Sequence, residues 1–233
     1  MPGKDAGSLH ISYRLIVVSA LFVTALITAN IMAVKLIAIG SDIVLPAAIV
    51  VFPLNYIIGD ILTEVYGFAW ARRVIWLGFL CNLIFVFFVW LGGLLPGASF
   101  WEGQSAYEMI LGYTPRILLA SFCGYLIGSF ANAAVMSRMK VLTRGRYLWS
   151  RTIGSTIVGE GLDSAVFITI AFIGTPAFAP IFIIYHWVAK TLIEVVATPV
   201  TYAVVNYLKV VEKVDAYDAD VSLNPFKLVE FKR

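Results

Sequence analysis

Charge is what this sequence has least of. Asp, Glu, Lys and Arg make up 13% of its 233 residues, while 61% are hydrophobic and the mean hydropathy is +0.90. A water-soluble domain carries roughly 25% charged residues, so that class is excluded. Cysteine is nearly absent as well. Cys81 and Cys123 fall in apolar stretches without Cys-x-x-Cys spacing or a neighbouring histidine pair, so neither a disulfide framework nor a metal site is expected. Both read as packing residues. Also missing are His-Glu-x-x-His, Gly-x-Ser-x-Gly and Gly-x-x-x-x-Gly-Lys-[Ser/Thr], which removes the chemistry of a zinc protease, a nucleophile-elbow hydrolase and a self-contained ATPase. A buried dyad of His186 with Ser155 or Ser164 is a pairing that any multi-helix protein offers by chance. No catalytic residue, metal ligand or cofactor is expected.

Long apolar runs are what remains. At ~1.5 Å per residue against a hydrocarbon core of about 30 Å, six are long enough to cross a bilayer: Leu15 to Ile39, Ile43 to Phe68, Val74 to Leu95, Ile117 to Met136, Ile153 to Ile173 and Phe178 to Leu208. The expected fold is an all-α integral membrane protein, a six-transmembrane-helix bundle over 15–208, with an N-terminal arm (1–14) and a tail (209–233). The first run is too long for a signal-peptide core and is read as a retained helix. Fourteen of the 17 Lys and Arg fall in the arm, the tail and the loops after the second and fourth runs. The positive-inside rule then places both termini in the cytoplasm. Topology thus accounts for the net charge of +3, and no nucleic-acid partner is implied. The longest outer loop, Pro96 to Pro115, carries Trp101, Tyr107 and Tyr113 and suits an interfacial anchor better than a lid. The tail alternates acids and bases around Asn224 and Pro225, a composition that favours partial disorder.

Small residues recur every fourth position at Ala25, Ala29 and Ala33, and again at Ala120, Gly124 and Gly128, with Asn132 continuing the second stripe. Such stripes let helices approach closely in lipid. One is expected to pack inside the protomer, leaving the other for a homodimer or a partner subunit.

Against this background five acids stand out, because a carboxylate in hydrocarbon rarely persists without a partner or a task. Glu160 and Asp163 lie about 14 and 18 Å above Arg151 along a straight helix, near the midplane, on a face shared with Ser155 and Gly159. A buried structural pair is the alternative reading. His186, Lys190 and Glu194 share one face of the last run, ahead of Pro199, which should loosen or kink it. They would line a solute or proton path, or Lys190 and Glu194 would pair with each other or with the acids of the fifth run. Asp60 and Glu64, with Asn55 and Tyr56 nearby, face one way in the second run, and pairing with Arg72 and Arg73 competes with a functional role. Asn30 and Lys35 occupy the outer half of the first.

The run from Phe52 to Gly67 (Phe-Pro-Leu-Asn-Tyr-Ile-Ile-Gly-Asp-Ile-Leu-Thr-Glu-Val-Tyr-Gly), followed by Ala71-Arg72-Arg73, resembles the signature of the queuosine precursor transporter family, also described as vitamin uptake transporter-like. Thr28-Ala29-Asn30 with Lys35, Ser155 to Ser164 with Phe167, and Tyr185 to Glu194 resemble its other blocks in the same order. The resemblance implies an inner-membrane importer, not an enzyme, of 7-cyano-7-deazaguanine or 7-aminomethyl-7-deazaguanine for salvage into tRNA queuosine. On that reading an ionised carboxylate accepts from the ring's N–H edge, with Glu160 the first candidate and Asp163 the second. Asp60 or Glu64 would answer an aminomethyl cation, Asn30 and Asn55 the ring's polar groups, and Tyr56, Tyr185 or Trp187 its face. Lys35, Glu64, His186, Lys190 and Glu194 would serve coupling or gating. Two alternatives stay open: a substrate-binding subunit of an energy-coupling vitamin importer, docking an ATPase through Ala25, Ala29 and Ala33, and a non-transporting membrane scaffold.

Overall fold

The computed structural model describes residues 12–39, 43–112, 115–174, 178–219 and 221–227. Gly40 to Asp42, Tyr113 and Thr114, residues 175–177, Asp220 and both chain extremities lie outside the described residues. The elements are α1 (Tyr13–Met32), β1 (Leu36–Ile39), β2 (Ile43–Pro46), a 3-10 turn (Ala47–Val50), α2 (Phe52–Ile61), a π turn (Leu62–Tyr66), α3 (Phe68–Leu94), α4 (Gln104–Leu111), α5 (Pro115–Leu142), α6 (Leu148–Phe172) and α7 (Ile181–Glu212). Among the described residues six helical segments are long and apolar enough to cross a membrane. Arg14, at the start of α1, donates to Glu212, at the end of α7, so both ends of the described chain meet at one end of the bundle.

The structure departs from the hydropathy reading in four places. The end of the first run and the start of the second form an antiparallel hairpin, with Leu36 opposite Pro46 and Ile39 opposite Ile43. Short apolar runs rich in Ile and Val fit a strand as well as a helix, and hydropathy does not separate the two. The second run is broken by the 3-10 and π turns. It ends at Gly67, whose φ of 87° suits glycine and lets α3 start one residue later. Arg72 and Arg73 are therefore helical rather than in a loop. The outer loop contains α4, held to α3 by the Tyr107 hydroxyl donating to the Val89 carbonyl at 2.7 Å. Finally, the tail lies against the bundle: Arg72 donates to the carbonyls of Ser222 and Asn224 at 3.0 and 2.9 Å, and Trp76 to that of Pro225 at 2.8 Å.

Polarity runs inside out. The buried residues of α7 are Lys190, Glu194, Thr198, Thr201, Val205 and Leu208, whereas Val188, Leu192, Val196 and Val200 face outward. Helices α5 and α6 approach through the second glycine stripe. A Cβ on Gly128 would lie 2.7 Å from the Asp163 Cβ and 2.9 Å from the Gly159 carbonyl oxygen, and one on Gly159 would lie 2.7 Å from the Asn132 Cβ. The first stripe is also internal, with Ala25 and Ala29 buried. The helix through Pro199 continues to Glu212.

Candidate functional site

Helix α2, which lies between α1, α5 and α7, and the π turn that follows it carry Asp60 and Glu64 into two different environments. Glu64 sits at the end of the bundle where the termini meet. Its carboxylate takes a bidentate contact from Arg151, with Nη2 at 2.7 Å and Nε at 3.2 Å. Lys209 stands 2.6 Å away and Lys140 3.5 Å. Because the helix stops at Gly67, the Glu64 and Val65 carbonyls lack helical partners. Lys140 Nζ takes the first at 2.5 Å and the Ala216 amide takes the second at 3.1 Å. Asp215 from the tail closes the ring against Lys140 and Lys209, at 2.5 and 2.9 Å. Burial pushes the Asp215 carboxyl up, but hydrogen bonds from those two lysines outweigh it and hold the group below the ordinary aspartate range. Asp218 accepts from the Phe68 amide and the Ser137 hydroxyl, each at 2.8 Å, and so caps α3 from outside.

Further along α2 the sign reverses. Lys190 of α7 binds two carboxylates of α6, Glu160 at 2.8 Å and Asp163 at 2.5 Å, with its Nζ 4.4 Å from the Phe52 ring centroid. Asp60 is fully buried and accepts from the Asn132 amide at 2.8 Å through Oδ1, with the Thr152 hydroxyl, Arg151 and Glu64 as its other polar neighbours. Glu194, 1% exposed, has neither oxygen hydrogen-bonded among the described residues, and its charged neighbours are Asp60 and Glu160. Asn55, 6% exposed, has both amide atoms without partners among the described residues. Two carboxyls thus bind one ammonium, and Glu194, one helical turn from Lys190, has no ion pair among the described residues. Tyr56 packs into the same region, its hydroxyl 3.0 Å from where a Gly128 Cβ would stand. Asn55, Tyr56, Gly59 and Asn132 line a cavity of ≈ 20 Å³, closed on its apolar side by Phe22 and Ile75. That is room for about one water molecule.

Asn30, Lys35 and Tyr185 lie apart from this centre, whereas His186 borders it. Asn30 donates to Asn82 at 2.9 Å and accepts from Ser121 at 3.5 Å. It is eight residues, about 12 Å, beyond Phe22 along α1. Lys35 is exposed at the bend before the hairpin, and Tyr185 is half exposed on the outside of α7. His186 Nδ1 stands 3.4 Å from the Ser164 hydroxyl, beside the Lys190 cluster, and Trp187 donates to the Ile157 carbonyl. Asn132, Asn82 and Phe52 are the polar and aromatic partners that the sequence reading did not assign. Lone asparagines in apolar runs were the available signal for the first two.

Taken together, the fold and this centre define a polytopic membrane protein with an acid-rich polar interior. The chain belongs to the vitamin uptake transporter family: the family described as "Putative vitamin uptake transporter" matches residues 46–204. Three curated relatives are similar to it. A "Probable queuosine precursor transporter" of Bacillus subtilis (strain 168) is 35% identical over 148 residues, covering 62% of this chain and 64% of the relative. The "Queuosine precursor transporter" of Escherichia coli (strain K12) is 27% identical over 61% of each chain, and the "Probable queuosine precursor transporter" of Haemophilus influenzae is 26% identical over 58% of this chain and 54% of its own. The chain therefore spans under two thirds of the length of these relatives. No solved structure matches it.

Proposed function

We propose that this chain imports queuosine precursors, 7-cyano-7-deazaguanine or 7-aminomethyl-7-deazaguanine, across the inner membrane, with both termini in the cytoplasm. The observation that carries the reading is that Lys190 meets the carboxyls of Glu160 and Asp163 and stands one helical turn from Glu194, whose oxygens have no hydrogen bond among the described residues, in a chain of this family. Such carboxyls are costly in lipid unless a donor-rich solute or protons meet them. The deazaguanine edge presents adjacent N–H donors, which carboxylates accept in paired contacts. Asp60, Glu160 and Asp163 are the acceptor set, Asn55 the amide that reads ring polar atoms, and Tyr56 the face against which the ring stacks.

The cavity beside Asn55 is far smaller than a bicyclic ring, so uptake requires an opening motion. Helix α2 is interrupted at both ends, by the 3-10 turn at Ala47–Val50 and the π turn at Leu62–Tyr66. Interrupted helices at the binding site are a recurring device of transporters. Opening pivots α2 about those turns while the Glu64 network holds its far end.

The test is salvage. The chain is expressed in cells unable to make queuosine or take up its precursors, each compound is supplied at low concentration, and queuosine is measured in tRNA. Rescue by at least one compound is expected. Failure with both, in cells where membrane insertion is verified, overturns the proposal.

A further inference from the structure

The tail after α7 has no regular secondary structure, yet it is laid across three elements of the bundle. On the π turn, the Ala216 amide donates to the Val65 carbonyl at 3.1 Å. On α3, Asp218 accepts from the Phe68 amide at 2.8 Å, Arg72 donates to the Ser222 and Asn224 carbonyls, and Trp76 donates to that of Pro225 with its ring 5.8 Å from the Phe226 ring. On α5, Asp218 accepts from the Ser137 hydroxyl at 2.8 Å, and Lys140 reaches Asp215 and stands 4.8 Å from the centre of the Tyr217 ring. Gly67 is at the middle of this seat. A Cβ there would lie 2.9 Å from Asp218 Oδ1 and 3.0 Å from the Ala216 Cβ, so the tail touches the backbone where the π turn hands over to α3.

That position matters because a pivot of α2 leaves Glu64 in place and changes the angle at Gly67. The tail spans that angle, bound to Val65 before it, Phe68 after it and Ser137 opposite. The attachment is also of a kind that releases. Ordering an irregular segment costs conformational entropy at every residue, each hydrogen bond returns little net free energy, and the apolar contribution of Val221 and Leu223 comes from side chains only partly buried. Segments held in this way open far more often than a bundle unfolds. We propose that the tail is a latch on the Gly67 hinge: docked, it holds α2 closed over α5, and its release lets α2 swing and the cavity beside Asn55 open. This rests on the import reading and its pivoting α2. A brace with no part in opening would share the contacts but not the consequence, since loosening it would expose only the surface beneath the tail.

Two measurements on the full chain, with Cys81 and Cys123 replaced by serine, separate latch from brace. In lipid nanodiscs, where both faces are reachable, a maleimide labels Ala133→Cys, a buried cavity position on α5 one turn further from the tail than Ser137. Labelling should rise about fivefold or more with Asp218→Asn and about threefold with Trp76→Phe, each of which weakens a tail contact and leaves α2 unaltered. In membrane vesicles, Ser137→Cys and Asp218→Cys joined by a short reversible thiol cross-linker pin the tail, and uptake of the deazaguanines should fall by about tenfold or more and return on reduction. Unchanged labelling in both variants, or undiminished uptake once nearly all molecules are joined, overturns the latch and leaves the import reading standing. If correctly inserted wild type takes up neither compound, the import reading fails, and the labelling alone decides whether the latch exists.

Discussion

Glu64 and Glu194 are both glutamates buried to within 1% of complete burial, and they occupy opposite electrostatic situations. Around Glu64, one carboxylate meets Arg151, Lys140 and Lys209, and the tail supplies Asp215 to complete the set. Around Glu194, neither carboxyl oxygen has a hydrogen bond or ion pair among the described residues, and Lys190, one turn away, binds Glu160 and Asp163. A saturated cluster is a fastener. An unsaturated one keeps capacity for something that is not part of the chain, and within a low-dielectric interior that capacity is expensive to maintain for structure alone.

The contrast is broken most directly at its two glutamates. Glu64→Gln leaves three cations around a neutral amide, and removing one partner of a buried network costs about 3 to 5 kcal/mol. Thermal unfolding in detergent should show a large loss. Glu194→Gln breaks no ion pair or hydrogen bond among the described residues, so its stability should stay within about 1 kcal/mol of wild type while uptake of the proposed substrate falls. Equal destabilisation by the two substitutions would erase the distinction. Next in size is Gly128→Val, which forces side-chain atoms into Asp163 and the Gly159 carbonyl and should cost about 1 to 3 kcal/mol by overpacking, read by the same unfolding curves. Asp218→Ala removes the cap on α3 and the partner of Ser137. A loss of about 1 to 2 kcal/mol is expected, with faster amide exchange confined to the tail and the first turn of α3.

The smallest effect sharpens the fastener's dependence on pH. Asp215 titrates below its unfolded value because Lys140 and Lys209 hold it ionised against the effect of burial. Its contribution is therefore complete at neutral pH and is lost as the pH falls below the unfolded aspartate value toward the folded one. With the side chain 44% exposed, solvent screening keeps the effect modest. Tail protection from proteolysis should hold down to about pH 5 and weaken below about pH 4, and Asp215→Asn should flatten that profile.

How much of this was legible beforehand follows from where partners lie in the chain. The six spans rest on local hydropathy and are recovered, and the Gly124–Gly128 stripe does pack within the protomer because small residues leave a groove wherever they recur. The hairpin was missed because eight apolar residues with Ile in both strands satisfy a helix or a strand equally. Partner choice was harder. Glu64 had Arg72 and Arg73 eight and nine residues away, yet it binds Arg151 and Lys209, 87 and 145 positions distant, while Arg72 takes tail carbonyls. Such choices are made by the bundle as a whole. Lys190 meeting the α6 acids was among the expected pairings, since four-residue spacing put it on the face that α6 covers.

The central claim is that the acids near Lys190, unlike Glu64, hold vacant capacity for a ligand. Thermal stabilisation of purified wild-type and Glu194→Gln protein by 7-aminomethyl-7-deazaguanine tests it most directly. A rise in Tm for wild type is expected, with little or none for the variant, whose ligand-free Tm stays near that of wild type. The same rise in both proteins, or none in wild type, would contradict the account.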